Sequence, residues 1–369
     1  MLLFPMFKLL SELCDIRLLV VLFFSFIVSS YLCYFLVYSF PINERIRDVL
    51  THKKNSKFKT GGGLAFILSF LLGVSIFFGQ YFFAFFILLS SFFIFIYSEF
   101  FINNIYFLLI LQSIGLGIFL NDEFFLILLM VFFSLIFGFL DDMKKITRGD
   151  GFSEKLLIRW QVATGVFLPL HNYINNLSFI NFFIFKVNMS VLYIPIAVFI
   201  YVATTNSVNI TDGINGGLGF STLIILGFFL LYFTKIIKGY SPFINILLSI
   251  DNFIFILFMI VSIIPFLFFN CYRNLVMGNA GSLALGSFIC LLCFVMKIEL
   301  LIPLVGALFL IETLSVILQV YSIRKYGKKI LLFSPIHHHF ELLGWSCKKI
   351  VFLMSFITFI GCLIAYFLV

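Results

Sequence analysis

Carboxylates, amides and histidines cluster at the ends of long apolar runs in this chain, and these are residue types that bind phosphate and move protons. Asp141-Asp142 close the run Phe132 to Leu140 and precede Met143-Lys144-Lys145. Two adjacent carboxylates repel, so keeping both ionised at a membrane boundary requires a cation or basic neighbours. A Mg²⁺-bound diphosphate meets that need, because Mg²⁺ takes one or two carboxylates plus phosphate oxygens. An exposed helix end balanced by Lys144 and Lys145 meets it equally well. Asn206-x-x-Asn209-x-x-Asp212-Gly213 follows a helix expected to end near Thr205. Spacing of three keeps those side chains on one side of a helical turn, so two amides and a carboxylate could converge on one ligand. Asn at a helix end is also an ordinary cap.

Gly278-Asn279-Ala280-Gly281-Ser282 precedes a helix expected from Leu283. Small residues there leave backbone N–H groups open to an anion, while Ser282 or Asn279 as a plain N-cap is the alternative. Ser334-Pro335-Ile336-His337-His338-His339-Phe340-Glu341 lies in the largest basic loop. Three consecutive histidines cannot all face one metal from a regular helix, and they suit phosphate or sugar contact and proton transfer. The basic run His52 to Lys59, leading into Gly61-Gly62-Gly63, suits phosphate capture or an anchor on anionic headgroups. Glu312 falls mid-span and is expected to hydrogen-bond a neighbouring helix or face an interior cavity.

The elements that must position these residues are membrane helices. The 369 residues are 63% hydrophobic and only 11% charged, which excludes a soluble core. Apolar runs near the roughly 20 residues of a spanning helix recur along the whole chain. Helices are expected near 18–40, 62–79, 81–98, 106–120, 124–140, 158–171, 190–205, 217–234, 252–269, 282–296, 300–320 and 350–369. The expected fold is therefore all-α, a polytopic membrane protein of 10–12 transmembrane helices. The first run is too long for a signal-peptide core and reads as a retained anchor. Seven scattered cysteines form no metal spacing or disulfide framework, and the 56 phenylalanines are most simply read as codon drift.

With the first helix running inward, alternate loops carry 18 of the 24 Lys and Arg residues. The positive-inside rule then puts those loops, and every polar cluster above, on the cytoplasmic face. The net charge of +8 has the same origin, and nucleic acid is not an implied partner.

Taken in order, the clusters resemble the phospho-N-acetylmuramoyl-pentapeptide transferases, of the polyprenyl-phosphate N-acetylhexosamine-1-phosphate transferase superfamily. The resemblance is strongest over Ile311 to Val320 and Ser334 to Trp345. It extends to Gly138-Phe-Leu-Asp-Asp142, Asn206 to Gly213 and Met277 to Gly286. It implies a single integral-membrane transferase domain over residues 1–369, in a bacterial inner membrane, with a Mg²⁺-dependent site on the cytoplasmic face. UDP-MurNAc-pentapeptide would react there with undecaprenyl phosphate, giving lipid I and UMP. By family analogy Asp141 or Asp142 handles the lipid phosphate and Asp212 is catalytic. Asp142, Asp212 and Asn279 would serve the metal. Asn206, Asn209, Lys54, His337, His338 and His339 would bind substrate. A single displacement and a covalent intermediate both fit, and a homodimer is allowed for.

The chain also departs from that pattern. Asn279 and Asn215 stand where the family has aspartate, and Phe58-Lys59-Thr60-Gly61-Gly62-Gly63 replaces its Thr-Pro-Thr-Met-Gly-Gly. The lysine expected before it falls near Asn55, with Lys54 and Lys57 as stand-ins. Asparagine keeps an oxygen ligand but cannot act as a base. The 77 residues between Gly63 and Asp141 exceed the family's two helices, so an inserted pair is expected, at about 99–123. Two other functions stay open: a transferase initiating another surface glycan, and a transporter or catalytically silent paralogue.

Overall fold

The computed structural model describes residues 16–38, 61–120, 122–182, 185–237 and 246–368. The run containing Lys54, with the rest of His52 to Lys59, lies outside the described residues. Nearly everything described is helical: α1 (Ile16–Tyr38), α2 (Gly62–Phe77), α3 (Tyr81–Ile96), α4 (Ser98–Asn103), α5 (Ile105–Ile118), α6 (Glu123–Arg148), α7 (Glu154–Gly165) and α8 (Phe167–Ile174). A hairpin of β1 (Phe179–Phe182) and β2 (Phe185–Asn188) follows. Then come α9 (Tyr193–Thr211), α10 (Gly217–Ile237), α11 (Ile246–Arg273), α12 (Gly278–Val295), α13 (Ile302–Val305), α14 (Ala307–Tyr326), α15 (Ile336–Leu342) and α16 (Cys347–Leu368). Among the described residues seven helices are long and apolar enough to cross a membrane, and three shorter apolar ones accompany them.

Several boundaries differ from the sequence expectation, and each has a local cause. α6 does not stop at Leu140 but carries Asp141 and Asp142 within it to Arg148. Asp122 caps its start by accepting from the Phe125 N–H at 3.3 Å. Lys145 and Arg148 favour its C-terminal dipole, and Gly149 at φ 86° ends it. α9 likewise runs past Thr205 to Thr211, so Asn206 and Asn209 are helical, and α12 begins at Gly278 rather than Leu283. The span expected at 158–171 breaks at Val166 into α7 and α8, because Pro169 has no N–H to give the Gly165 carbonyl. The span expected at 300–320 lies at 307–326, after a short turn ending at Gly306. The hairpin adds strand to an expected all-α chain, pairing Phe179 with Asn188 and Phe182 with Phe185.

α6 and α12 are the most enclosed helices and pack along each other. α9 flanks α12 and carries α14 on its other side, while α1, α2 and α11 form a second group that meets α12 through α2. Small residues allow these approaches. A Cβ on Gly138 of α6 would overlap the Asn279 carbonyl of α12, and one on Gly63 of α2 would overlap Gly281. Both contacts lie at the end where Asp141, Asp142 and Asn279 meet, so close helix packing frames those residues.

Candidate active site

Asp141 is buried and committed on every side. Its Oδ1 accepts from the Phe152 N–H at 2.6 Å, and its Oδ2 from the Asn279 amide at 2.6 Å. Lys145, one turn on, places Nζ 2.7 Å from the same Oδ2. An aromatic stack fixes the Phe152 end: Phe137 lies between Trp160 and Phe152, with ring centroids 4.3 and 5.4 Å away. Asp142 faces a different partner. Its Oδ2 accepts from the Ala280 N–H at 3.1 Å, so it lies against the first turn of α12. That contact needs Gly278, which sits at φ 71° and whose Cβ would come 2.5 Å from Asp142 Oδ2. A carboxylate is favoured at a helix N-terminus by the dipole and by unsatisfied N–H groups.

α9 joins the same end. The Ser282 hydroxyl of α12 donates to Asn209 Oδ1 at 2.8 Å. One turn later Asp212 closes α9, with its N–H on the Asn209 carbonyl at 3.3 Å. Asn206 points elsewhere: it exchanges hydrogen bonds with Gln161 of α7 at 2.7 and 3.2 Å, which ties α9 to α7.

The histidines are sorted by the short helix α15 into three surroundings. His337 is buried, with Nδ1 3.0 Å from Glu312 Oε2 of α14, and its Nε2 abuts Gly213, where a Cβ would overlap it. Glu312 is itself 1% exposed. Ser315 reinforces the joint by accepting the Ile336 N–H at 3.0 Å. His338 pairs with Glu341 at 2.5 Å, its ring 4.2 Å from that of His337. His339 accepts the Leu332 N–H at 3.1 Å and so ties down the chain ahead of α15.

Asp141, Asp142 and Asn279 are thus in direct contact, Asn209 reaches them through Ser282, and Asp212-Gly213 is braced from below by His337. Glu312 stood outside the candidate catalytic residues, although its mid-span charge was the signal; its partner is His337, the first of the three histidines. Lys145 pairs with Asp141, as the basic-neighbour reading of the Asp141-Asp142 pair allowed, while Gln161 carried no signal beyond an ordinary polar position. Among the described residues no group of three or more Asp, Glu, His and Cys converges for a metal ion. A cation at this end would therefore take at most two carboxylates, with the Asn279 amide oxygen available because its nitrogen is committed to Asp141.

Comparison with known proteins gives the class first. Glycosyl transferase family 4 matches residues 124–297, from the start of α6 past the end of α12, just under half of the chain. A phospho-N-acetylmuramoyl-pentapeptide-transferase of Clostridium beijerinckii is 39% identical over 252 residues, covering 65% of this chain and 73% of the relative. Its counterpart in Clostridium botulinum (strain Eklund 17B / Type B) is 36% identical, covering 67% and 74%. The one from Caldanaerobacter subterraneus subsp. tengcongensis is 32% identical, covering 63% and 72%. The chain belongs to the phospho-N-acetylmuramoyl-pentapeptide-transferase family.

Proposed function

We propose that this protein transfers phospho-MurNAc-pentapeptide from UDP-MurNAc-pentapeptide to undecaprenyl phosphate, giving lipid I and UMP at the cytoplasmic face of a bacterial plasma membrane. One P–O bond forms between the lipid phosphate and the sugar-linked phosphorus as the bond to UMP breaks. The observation that carries the reading is the contact of Asp142 with the first turn of α12, beside Asn279 and the Asp212 end of α9. The concentration of Lys and Arg in the loops at this end supports the cytoplasmic orientation.

Mg²⁺ fits this donor set, since two carboxylates and an amide oxygen leave room for phosphate oxygens, and it would neutralise charge on the diphosphate. Asp142 and Asp212, with Asn279 Oδ1, would hold it. Asp142 takes any remaining proton of the lipid phosphate. Asp141 fixes Asn279 and the Phe152 loop instead, because both its oxygens are already engaged. His337 holds the Asp212-Gly213 turn, and His338 faces the nucleotide sugar. Most of the rate then comes from positioning and electrostatics, as is general for phosphoryl transfer.

The test is UMP release by purified protein given undecaprenyl phosphate, Mg²⁺ and UDP-MurNAc-pentapeptide. Release with UDP-N-acetylglucosamine instead would move the assignment to another surface glycan. No release with either, restored by Asn279→Asp, would identify a silent paralogue.

A further inference from the structure

At the end of the bundle away from Asp142, the Tyr193 hydroxyl of α9 gathers three side chains. It donates to Glu299 Oε1 at 2.9 Å, and it accepts from the Asn172 amide of α8 at 3.3 Å and from Lys297 Nζ at 3.4 Å. Asn181 of β1 joins the group by donating to the Lys297 carbonyl at 2.9 Å. Glu299 and Asn172 are only 2% and 1% exposed. Three oxygens here are buried and have no hydrogen-bond partner among the described residues: Glu299 Oε2, Asn172 Oδ1 and Asn181 Oδ1. Neither amide can exchange its oxygen for its nitrogen without breaking a bond, because each nitrogen is already donating. Burying acceptors that accept nothing is costly, so such a group calls for a ligand.

The surroundings select a cation. Asn172 stands in the last turn of α8 and Glu299 follows the C-terminus of α12, so two helices present the negative ends of their dipoles. Lys297 does not use up the Glu299 charge. Its ammonium is 4.0 Å from Oε1, the other oxygen, and donates to the Leu177 carbonyl at 2.8 Å. It also has a second carboxylate within electrostatic reach, Glu123 at the start of α6, which His171 of α8 faces as well. One carboxylate with two neutral amide oxygens, beside an ammonium, suits a single positive charge, whereas tight Ca²⁺ sites draw on more carboxylates.

We propose that Glu299 Oε2, Asn172 Oδ1 and Asn181 Oδ1 hold a monovalent cation, Na⁺, which pins α8 and the hairpin to α9 and α12. The site shares no residue with the Asp141, Asp142 and Asn279 cluster, so it stands apart from the function proposed above.

The test uses the full chain in detergent at pH 8, where the Glu299 carboxyl, pushed up to about 7 by burial, is ionised. Exchanging N-methyl-D-glucamine chloride for NaCl at constant ionic strength is expected to raise the melting temperature by about 2 °C, saturably. Equilibrium dialysis with radioactive sodium should show matching saturable binding. Glu299→Gln keeps an acceptor for the Tyr193 hydroxyl but removes the charge, and should lose both the shift and the bound sodium. Asn181→Ala, on the half-buried hairpin, should weaken sodium binding about tenfold and carries the test if Glu299→Gln does not fold. Asp142→Asn should keep both responses. No saturable response in the wild type would mean that the three oxygens take only water, and would overturn the proposal. So would an undiminished response in Glu299→Gln and Asn181→Ala, or one that disappears in Asp142→Asn.

Discussion

α6 and α12 carry charge at both ends of their contact, and the two ends are built differently. At one end Asp141 and Asp142 bond to α12 and to the loop after α6, and Lys145 remains half exposed. At the other, Lys297 and Glu299 follow α12 and are only 6% and 2% exposed. Glu299 Oε1 accepts from the Tyr193 hydroxyl of α9 at 2.9 Å, and Lys297 lies 4.0 Å from it while donating to the Leu177 carbonyl at 2.8 Å. Asn181 of the hairpin donates to the Lys297 carbonyl at 2.9 Å. Glu299 Oε2, Asn172 Oδ1 and Asn181 Oδ1 are buried there with no partner, whereas no side-chain oxygen of Asp141, Asp142 or Asn279 is. Buried charge is therefore not by itself the mark of the site. The Asp142 end is the one whose carboxylates bond to the first turn of α12, where Ser282 in turn bonds Asn209 of α9. The Glu299 end closes the hairpin and α8 onto α9 and α12.

The largest expected effect separates the two ends in function. Asp142→Asn keeps the acceptor for the Ala280 N–H but loses the charge, and should lower UMP release by about 10³-fold with little change in thermal unfolding. Glu299→Gln should stay within about twofold of wild type in the same assay, as expected for a group that never meets substrate. Equal losses from both would erase the distinction.

A second pair contrasts chemistry with bracing. Glu312→Leu strips His337 of its partner in a buried, low-dielectric place, which should cost about 3 kcal/mol of stability. Denaturant unfolding in detergent measures it. His338→Ala, at a partly exposed histidine beside Glu341, should cost well under 1 kcal/mol in the same measurement. A Glu312→Leu protein as stable as wild type would remove the bracing role of the dyad.

The sequence displayed these regions unequally. Asp141-Asp142 and Asn206 to Asp212 stood out because polar residues interrupt apolar runs. Their helical setting was hidden, since Lys144-Lys145 looks like a loop but is also good helix-forming sequence. Glu312 was visible as a charge within a span, yet its pairing with His337 depends on α15 folding back over α14, which no local pattern encodes. Lys297 and Glu299 gave no signal, because two charges in a short break between spans look like ordinary punctuation. The hairpin was hidden for a similar reason: two four-residue strands have no room for a clear alternation.

The Glu299 end also predicts a pH dependence. Burial pushes the Glu299 carboxyl up from 4.5 to about 7, with Lys297 and the Tyr193 hydroxyl opposing. The folded state therefore holds this proton more tightly than the unfolded chain. The stability it contributes is complete below pH 4.5 and is lost as pH rises through about 7. Glu299→Gln mimics the protonated form, so its advantage over wild type in melting temperature should appear at pH 8 and vanish near pH 5.

The smallest expected effect tests Asn279 as the residue that keeps the site end neutral enough to pack. Its amide and Lys145 converge on Asp141 Oδ2 from 2.6 and 2.7 Å. Asn279→Asp sets a carboxylate against that oxygen, and neither side can retreat, because Gly138 already touches the Asn279 carbonyl. Like charges at this distance force one group to take a proton or a cation. Without divalent metal the variant should lose about 1 kcal/mol at pH 8 and recover as pH falls. Millimolar Mg²⁺ should then raise its melting temperature more than that of wild type, because the variant adds a third carboxylate's repulsion for the ion to relieve. An equal Mg²⁺ response in the two proteins would mean that Asn279 already presents its oxygen as effectively as a carboxylate does.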